Sequence, residues 1–276
     1  MEQATARTLR RRLLRWYGAS ARDLPWRRTR DPYAILVSEV MLQQTQVSRV
    51  LPAYAAFLRR FPTLRALARA PLADVLRAWS GLGYNRRARD LHRIARAYPQ
   101  GLPTEVPALD ALPGIGSYTA AAVATFASGA RVPFADTNIR RVLGRIALGR
   151  VATEREAVAI DRELMPRESA TWHHALMDLG ATVCRPRPLC DTCPVLSCRA
   201  RGRVARAVPR RQAAFATSTR RLRGIAVRLL VARSDGMTRA ALVRALDDPR
   251  ASEVIDGLAR DGLVQRERAR LRLPAR

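Results

Sequence analysis

The chain has 276 residues, 48% of them hydrophobic, with 50 Lys+Arg against 23 Asp+Glu and a formal charge of +27. The apolar fraction fills real cores and the length accommodates two or three domains, which excludes wholesale disorder; no run of about eighteen apolar residues is present and arginines occupy the first turns, which argues against a membrane span and against secretion. A charge this one-sided calls for a polyanion, nucleic acid first, and because every cation is arginine, with no lysine anywhere, a lysine Schiff base is excluded.

Apolar residues at three- and four-residue spacing, punctuated by Gly and Pro, predict helices over Thr5 to Tyr17, Pro32 to Gln44, Gln46 to Arg60, Leu72 to Ser80 and Asn85 to Tyr98. Further helices are expected over Val106 to Leu112, Ser117 to Phe126, Asn138 to Leu148, Arg155 to Leu164 and Ala170 to Ala181. This first part is all-α. Residues 201–220 turn to Arg, Ala, Pro and Thr with little periodicity and read as an exposed basic linker. Beyond it, helices near Leu222 to Arg233, Thr238 to Leu246 and Ala251 to Asp261 precede two alternating stretches, Gly262 to Arg266 and Leu271 to Leu273. Three short helices and two strands fit a winged-helix-like module over 221–276, which can enter a DNA groove, serve protein contacts or act only as a stabilising cap.

Glu39 lies inside the apolar run Tyr33 to Leu42. Burial there raises a carboxyl pKa and suits a general acid, whereas a helix-face glutamate pointing to solvent needs no such role. Leu112-Pro113-Gly114-Ile115-Gly116 followed by Ser117 joins two helices through a tight glycine turn. Its bare amides and the N-terminal end of the following helix make a seat for a DNA phosphate at Gly114, Gly116 and Ser117, unless the turn is an ordinary helix connection. Asp136 stands where it can cap the helix starting near Asn138, a role compatible with catalysis. All four cysteines fall in one segment, Cys184, Cys190, Cys193 and Cys198, spaced C-x5-C-x2-C-x4-C. A 4Fe-4S cluster with a structural role is the expected occupant, with zinc and disulfides as alternatives, and Arg185 and Arg187 between the first two cysteines would face phosphates.

Several motifs agree in order with one family: Leu24-Pro25-Trp26-Arg27, Asp31-Pro32-Tyr33, Ser38 to Val47, Gly81-Leu82-Gly83-Tyr84, Leu112 to Ala120, Asp136-Thr137-Asn138 and the four cysteines. Over residues 8–200 the chain resembles the A/G-specific adenine DNA glycosylases, the MutY family of the helix-hairpin-helix glycosylase superfamily. The resemblance implies a six-helix barrel with the hairpin over 29–135, and an iron-sulfur domain from 1–28 and 136–200. It implies that Glu39 protonates adenine at N7, that Asp136 stabilises the sugar cation or its covalent intermediate, and that Tyr118 and Asn138 hydrogen-bond this pair. Trp26, Arg27 and Leu42 would line the adenine pocket, and Gln44, Thr45 and Tyr84 would contact or wedge beside the opposing base. The chemistry is glycoside cleavage by two carboxylates on a base flipped out of the stack. The 78 residues after Cys198 read as the linker and the winged-helix-like module and not as the family's Nudix-like domain.

The implied activity is excision of adenine mispaired with 8-oxoguanine or guanine in double-stranded DNA, by a cytoplasmic, nucleoid-associated monomer. Tyr118 stands where the endonuclease III branch carries its Schiff-base lysine, so base removal without strand cleavage is expected. A relative removing thymine or uracil opposite guanine is the near alternative, against which Glu39 argues, because pyrimidines leave as anions and need less protonation. A non-catalytic DNA-binding protein would leave Glu39 and Asp136 without a role.

Overall fold

The computed structural model describes residues 3–203, 217–233 and 235–274. Positions 204–216 of the expected basic linker lie outside them. In chain order the helices are α1 (Gln3–Ser20), α2 (Pro32–Leu42), α3 (Val47–Arg60), α4 (Leu64–Arg69), α5 (Leu72–Ala78), α6 (Arg86–Ala97) and α7 (Val106–Asp110). They continue with α8 (Ser117–Ser128), α9 (Thr137–Leu148), α10 (Glu154–Leu164), α11 (Ser169–Thr182), α12 (Thr219–Val231), α13 (Arg239–Leu246) and α14 (Ala251–Arg260). Three short strands, β1 (Met237–Thr238), β2 (Gln265–Glu267) and β3 (Arg270–Arg272), complete the mostly helical fold. Among the described residues no helix is long and apolar enough to cross a membrane.

The chain divides into two compact units, each drawn from separate stretches of sequence. One takes its described residues from 1–35, 104–110 and 115–210. Its core follows helical periodicity: Ile139, Val142, Leu143 and Ile146 of α9 meet Trp172, Leu176 and Leu179 of α11 and Leu9 and Leu13 of α1. The start of α10 carries a capping box, Thr153 accepting from the Glu156 amide while the Glu156 carboxylate accepts from the Thr153 amide. Gly144 lets α9 approach the following loop, since a Cβ there would stand 2.3 Å from the Ala152 nitrogen.

The second unit takes its residues from 36–103, 111–114 and 211–276, so α12 to α14 and the strands fall in it with α3 to α6. Phe57 of α3 packs edge-on to Phe61 and Trp79, with ring centroids 5.0 and 5.8 Å away. The C-terminal elements form the expected winged-helix-like module, with one strand more than the sequence suggested. β1 pairs with β3 and β3 with β2, all antiparallel, Met237 lying opposite Leu271 and Gln265 opposite Arg272. The extra strand is two residues long, too short for alternation to register. Helix α12 packs on α5, α13 and α14, and the Ala73 amide donates to the Pro274 carbonyl at 3.0 Å. Two other departures are local. Helix α4 was not foreseen; Thr63 caps it, accepting from the Ala66 amide at 3.1 Å. Helix α2 ends at Leu42, two residues before the predicted end, because Gln44 adopts a left-handed φ of 55°.

Candidate active site

Glu39 is 7% exposed in α2, a helix whose residues from Tyr33 to Met41 are all buried. It lies in the second unit with Leu42, Gln44, Thr45 and Tyr84. What gathers the last three is Arg87 of α6. This buried guanidinium donates to the carbonyls of Val40, Met41 and Gln43 at 2.6 to 2.9 Å, so it caps the end of α2. It also donates to the Thr45 hydroxyl at 3.1 Å and to the carbonyls of Leu82 and Gly83 at 3.2 and 3.1 Å. Two loops are thereby tied to one side chain. Burial pulls Arg87 down to about 10, which still leaves it charged at neutral pH. Gln44 and Tyr84 both take left-handed backbone, with φ of 55° and 48°, a conformation costing about 1–3 kcal/mol at a non-glycine residue unless its surroundings impose it.

In the hairpin, Gly114 has φ 75° and a Cβ there would sit 3.1 Å from an Asp90 carboxylate oxygen, so both the turn and the close approach require glycine. Gly114 belongs to the second unit. Gly116 and Ser117 belong to the first, where Gly116 caps α8 in extended backbone, exposed, with open space where a Cβ would project.

In the first unit Asp136 is the N-cap of α9. Its Oδ1 accepts from the Ile139 amide at 2.7 Å and its Oδ2 from the Asn138 amide group at 2.9 Å. Two N–H donors and the positive end of a helix thus meet one carboxylate. Thr137 is the first residue of α9 and is absent from the residues with positive φ, so threonine fits there without strain. Asn138 is held in turn by Arg141, which donates to its Oδ1 at 2.7 Å and to the carbonyls of Gly180 and Cys184, both at 2.7 Å. Burial pulls the Arg141 pKa below its ordinary value. Glycine at 180 leaves the room Asn138 needs, since a Cβ there would lie 2.6 Å from the Asn138 Cβ.

Tyr118 of α8 packs edge-on to Phe134, centroids 5.5 Å apart, and Phe134 stacks on His173 at 3.9 Å. His173 meets Asp161 at 2.8 Å, and Asp161 also accepts from the Trp172 indole at 2.7 Å and the Phe134 amide at 3.2 Å. This buried network fixes the segment leading to Asp136. Trp26 is buried beside Arg27 in a short 3-10 turn. Arg27 makes a bidentate pair with Asp178, both bonds 2.7 Å, joined by Arg22 at 2.6 Å. Burial alone would raise the Asp178 carboxyl, but the hydrogen bond and charge of Arg27 hold it below the usual range. The Arg27 Nε is buried and has no acceptor.

The four cysteines carry free thiols and line one cavity together with Val183, Leu189 and Arg145. Among the described residues, no three His, Cys, Asp or Glu side chains gather closely enough to hold a single metal ion. Arg145 of α9, 3% exposed, points its guanidinium at the Cys184 sulfur, 3.4 Å away, and donates to the carbonyls of Arg185 and Pro186 at 2.6 and 3.1 Å. Burial, then the neighbouring thiols, push the Cys193 and Cys198 thiols up. Arg185 and Arg187 are exposed. Sequence reasoning missed Arg87, Arg141 and Arg145. Their only available signal is a helical position facing the core, which a chain so rich in arginine hides.

The family described as HhH-GPD superfamily base excision DNA repair protein matches residues 37–167. The adenine DNA glycosylase of Mycolicibacterium smegmatis is 46% identical over 267 residues, 92% of this chain and 91% of that protein. The human adenine DNA glycosylase is 42% identical over 215 residues, 70% of this chain and 39% of the human protein. Among solved structures, a thermostable thymine-DNA glycosylase superposes with a TM-score of 0.66 at 28% identity, over 72% of this chain and 97% of that one. A trapped endonuclease III–DNA covalent intermediate superposes with a TM-score of 0.62 at 23% identity, over 73% and 98%, a likeness of fold. The chain belongs to the adenine DNA glycosylase family, the MutY branch of the helix-hairpin-helix base excision repair proteins.

Proposed function

We propose that the chain is a monofunctional glycosylase that removes adenine mispaired with 8-oxoguanine or guanine from double-stranded DNA, acting as a monomer. The observation that carries the reading is Asp136, a carboxylate with an N–H donor on each oxygen at the start of α9, in a chain whose buried α2 holds a second acid, Glu39. Glu39 gives its proton to adenine N7. The C1′–N9 bond breaks with its electrons passing to the base, and Asp136 answers the positive charge that develops on the sugar. Water then adds at C1′, its proton returning to the Glu39 carboxylate, and an abasic site is left. Asn138 orients Asp136, and Tyr118, whose ring packs on Phe134, hydrogen-bonds to the two acids. Trp26, Arg27 and Leu42 line the adenine pocket. Gly114, Gly116, Ser117, Arg185 and Arg187 hold phosphates.

A 4Fe-4S cluster fits Cys184, Cys190, Cys193 and Cys198. All four thiols line one cavity, and Arg145 at the Cys184 sulfur offsets the negative charge of thiolate ligands. Bound there, the cluster supplies a structural staple for the arginine-bearing loop and takes no part in the hydrolysis.

The test is a panel of mispaired duplexes treated with alkali after incubation. Strand breakage at adenine opposite 8-oxoguanine and guanine is expected, Glu39→Gln abolishing it while leaving DNA binding largely intact. Breakage at thymine or uracil opposite guanine instead would overturn the reading. So would a borohydride-trapped adduct formed as efficiently as by a true lyase, since the chain holds no lysine. One zinc and no iron in anaerobically purified protein would remove the cluster.

A further inference from the structure

The C-terminal module meets α6 through the end of α14. There the Asp261 carboxylate accepts from Arg86 of α6 at 2.6 and 2.7 Å and from Arg223 of α12, so one side chain joins the module to α6. Burial alone would raise the Asp261 carboxyl, but Arg86 and Arg223 hold it below the usual range. The Asp261 carbonyl accepts from a second residue of α6, Arg89. Gly262 follows, where a Cβ would stand 3.8 Å from the Arg93 guanidinium and 4.0 Å from the Arg89 stem. The module therefore lies along the face of α6 that carries residues 86, 89 and 93.

Arg89 faces both ways. While one nitrogen holds the Asp261 carbonyl, its Nε and Nη2 donate to Asp90 Oδ1 at 2.8 and 2.6 Å. The Arg89 and Asp90 side chains are each only 14% exposed, so water offers neither a ready replacement. Asp90 is the residue against which Gly114 turns: a Cβ at 114 would stand 3.1 Å from its Oδ2 and 3.2 Å from its Cβ. Contacts thus run without a break from Asp261 through Arg89 and Asp90 to the first glycine of the hairpin.

The sign of the charges separates positioning from attraction. Asp90 and Asp261 are acids in a chain that binds a polyanion, so direct attraction is not what they contribute. Nor does α14 have the face of a groove-reading third helix. It turns the exposed Glu253 and the half-exposed Asp256 outward, and Asp256 is paired with Arg239 inside the module. We propose that the C-terminal module is a brace for the grip on the DNA backbone, in which Asp261, Arg89 and Asp90 are positioning residues that set the Gly114 turn against its phosphate. The inference rests on the reading of Gly114 as a phosphate seat and gives the module a part that needs no contact with DNA.

Anisotropy measures binding to a duplex with a tetrahydrofuran abasic analogue opposite 8-oxoguanine, with each phosphate near the analogue replaced in turn by an uncharged methylphosphonate. For the wild type one position should cost about tenfold, the worth of a charge-assisted hydrogen bond to phosphate. Gly114→Ala should lose a similar factor on the all-phosphate duplex and little more on that methylphosphonate duplex, which marks the phosphate as the hairpin's own. Asp261→Ala and Arg89→Lys should each weaken binding to the all-phosphate duplex about fivefold, and to the methylphosphonate duplex less than about twofold. Asp261→Ala removes a negative charge, so attraction alone would tighten binding, and Arg89→Lys keeps the charge while losing the fork. Asp256→Ala, which removes an acid of the same helix paired within the module, should not weaken binding. Urea midpoints are measured alongside, and Arg89→Lys decides alone if Asp261→Ala does not fold. Unchanged or tighter binding in these two variants, or an equal loss on both duplexes, overturns the brace. So does a wild type that no methylphosphonate weakens, since the hairpin then seats no phosphate. If the wild type releases no adenine while the phosphate-specific losses hold, the catalytic reading fails and the brace stands.

Discussion

Gly180 shows how finely a single position sets the proposed chemistry. A methyl group there would meet the Asn138 Cβ at 2.6 Å, and Asn138 holds an Asp136 oxygen. Gly180→Ala should therefore displace the carboxylate before it unfolds the protein. We expect adenine release to slow by about 10²-fold, the cost of misplacing a catalytic group by about 1 Å, with a stability loss of about 1–3 kcal/mol. Single-turnover rates beside thermal melting check this, and a rate loss no larger than the unfolded fraction explains would refute it. The burial of Glu39, the capping place of Asp136 and the shared cavity of the four cysteines could be read from the sequence because each stands in a telling context: an acid in an apolar run, an acid before a helix, thiols confined to one segment. Arg87, Arg141 and Arg145 could not, because 50 arginines look alike until burial separates those that organise the interior from those left for DNA. Arg27 shows the same limit, since its guanidinium is largely committed to Asp178 and only Nε is left.

At the level of elements, Arg87 does the work that a C-capping residue does elsewhere. It meets the last carbonyls of α2 and two loops that propensity alone would not fold this way. Arg87→Met keeps the stem and removes every donor, leaving buried carbonyls without partners. Stability should fall by about 3 kcal/mol or more, seen as a lower urea midpoint, with faster amide exchange at 43–45 and 81–84. An unchanged midpoint would mean that the loops hold themselves. This tertiary contact is also why the end of α2 was placed two residues late: Gln43 and Gln44 are ordinary helix formers, and what meets the last carbonyls is a residue more than forty positions later. Long amphipathic helices were legible because their faces bury a regular stripe, as in α9 and α11. The six-residue α4 and the two-residue β1 carry too little pattern and depend on what surrounds them.

For the molecule as a whole, the charge of +27 overstates what is available to DNA, because part of the arginine is spent on carbonyls and carboxylates inside the fold. Binding affinity should fall linearly with salt on logarithmic axes with a slope of roughly −6 to −10, as for about six to ten phosphate contacts. Fluorescence anisotropy on an undamaged duplex measures it, and a flat dependence would show that the charge serves another purpose. The two units interleave along the chain, and their first boundary falls inside α2, where neither glycine, proline nor a change of composition marks it. That interleaving bears on how the protein is made. A ribosome delivers α1 long before α9 and α11, the helices that cover its leucines, and delivers α3 to α6 before α12. Each half waits for later partners, so the nascent chain spends much of its synthesis with apolar faces bare, and mutual repulsion among its guanidiniums then serves to keep neighbouring chains from sticking together.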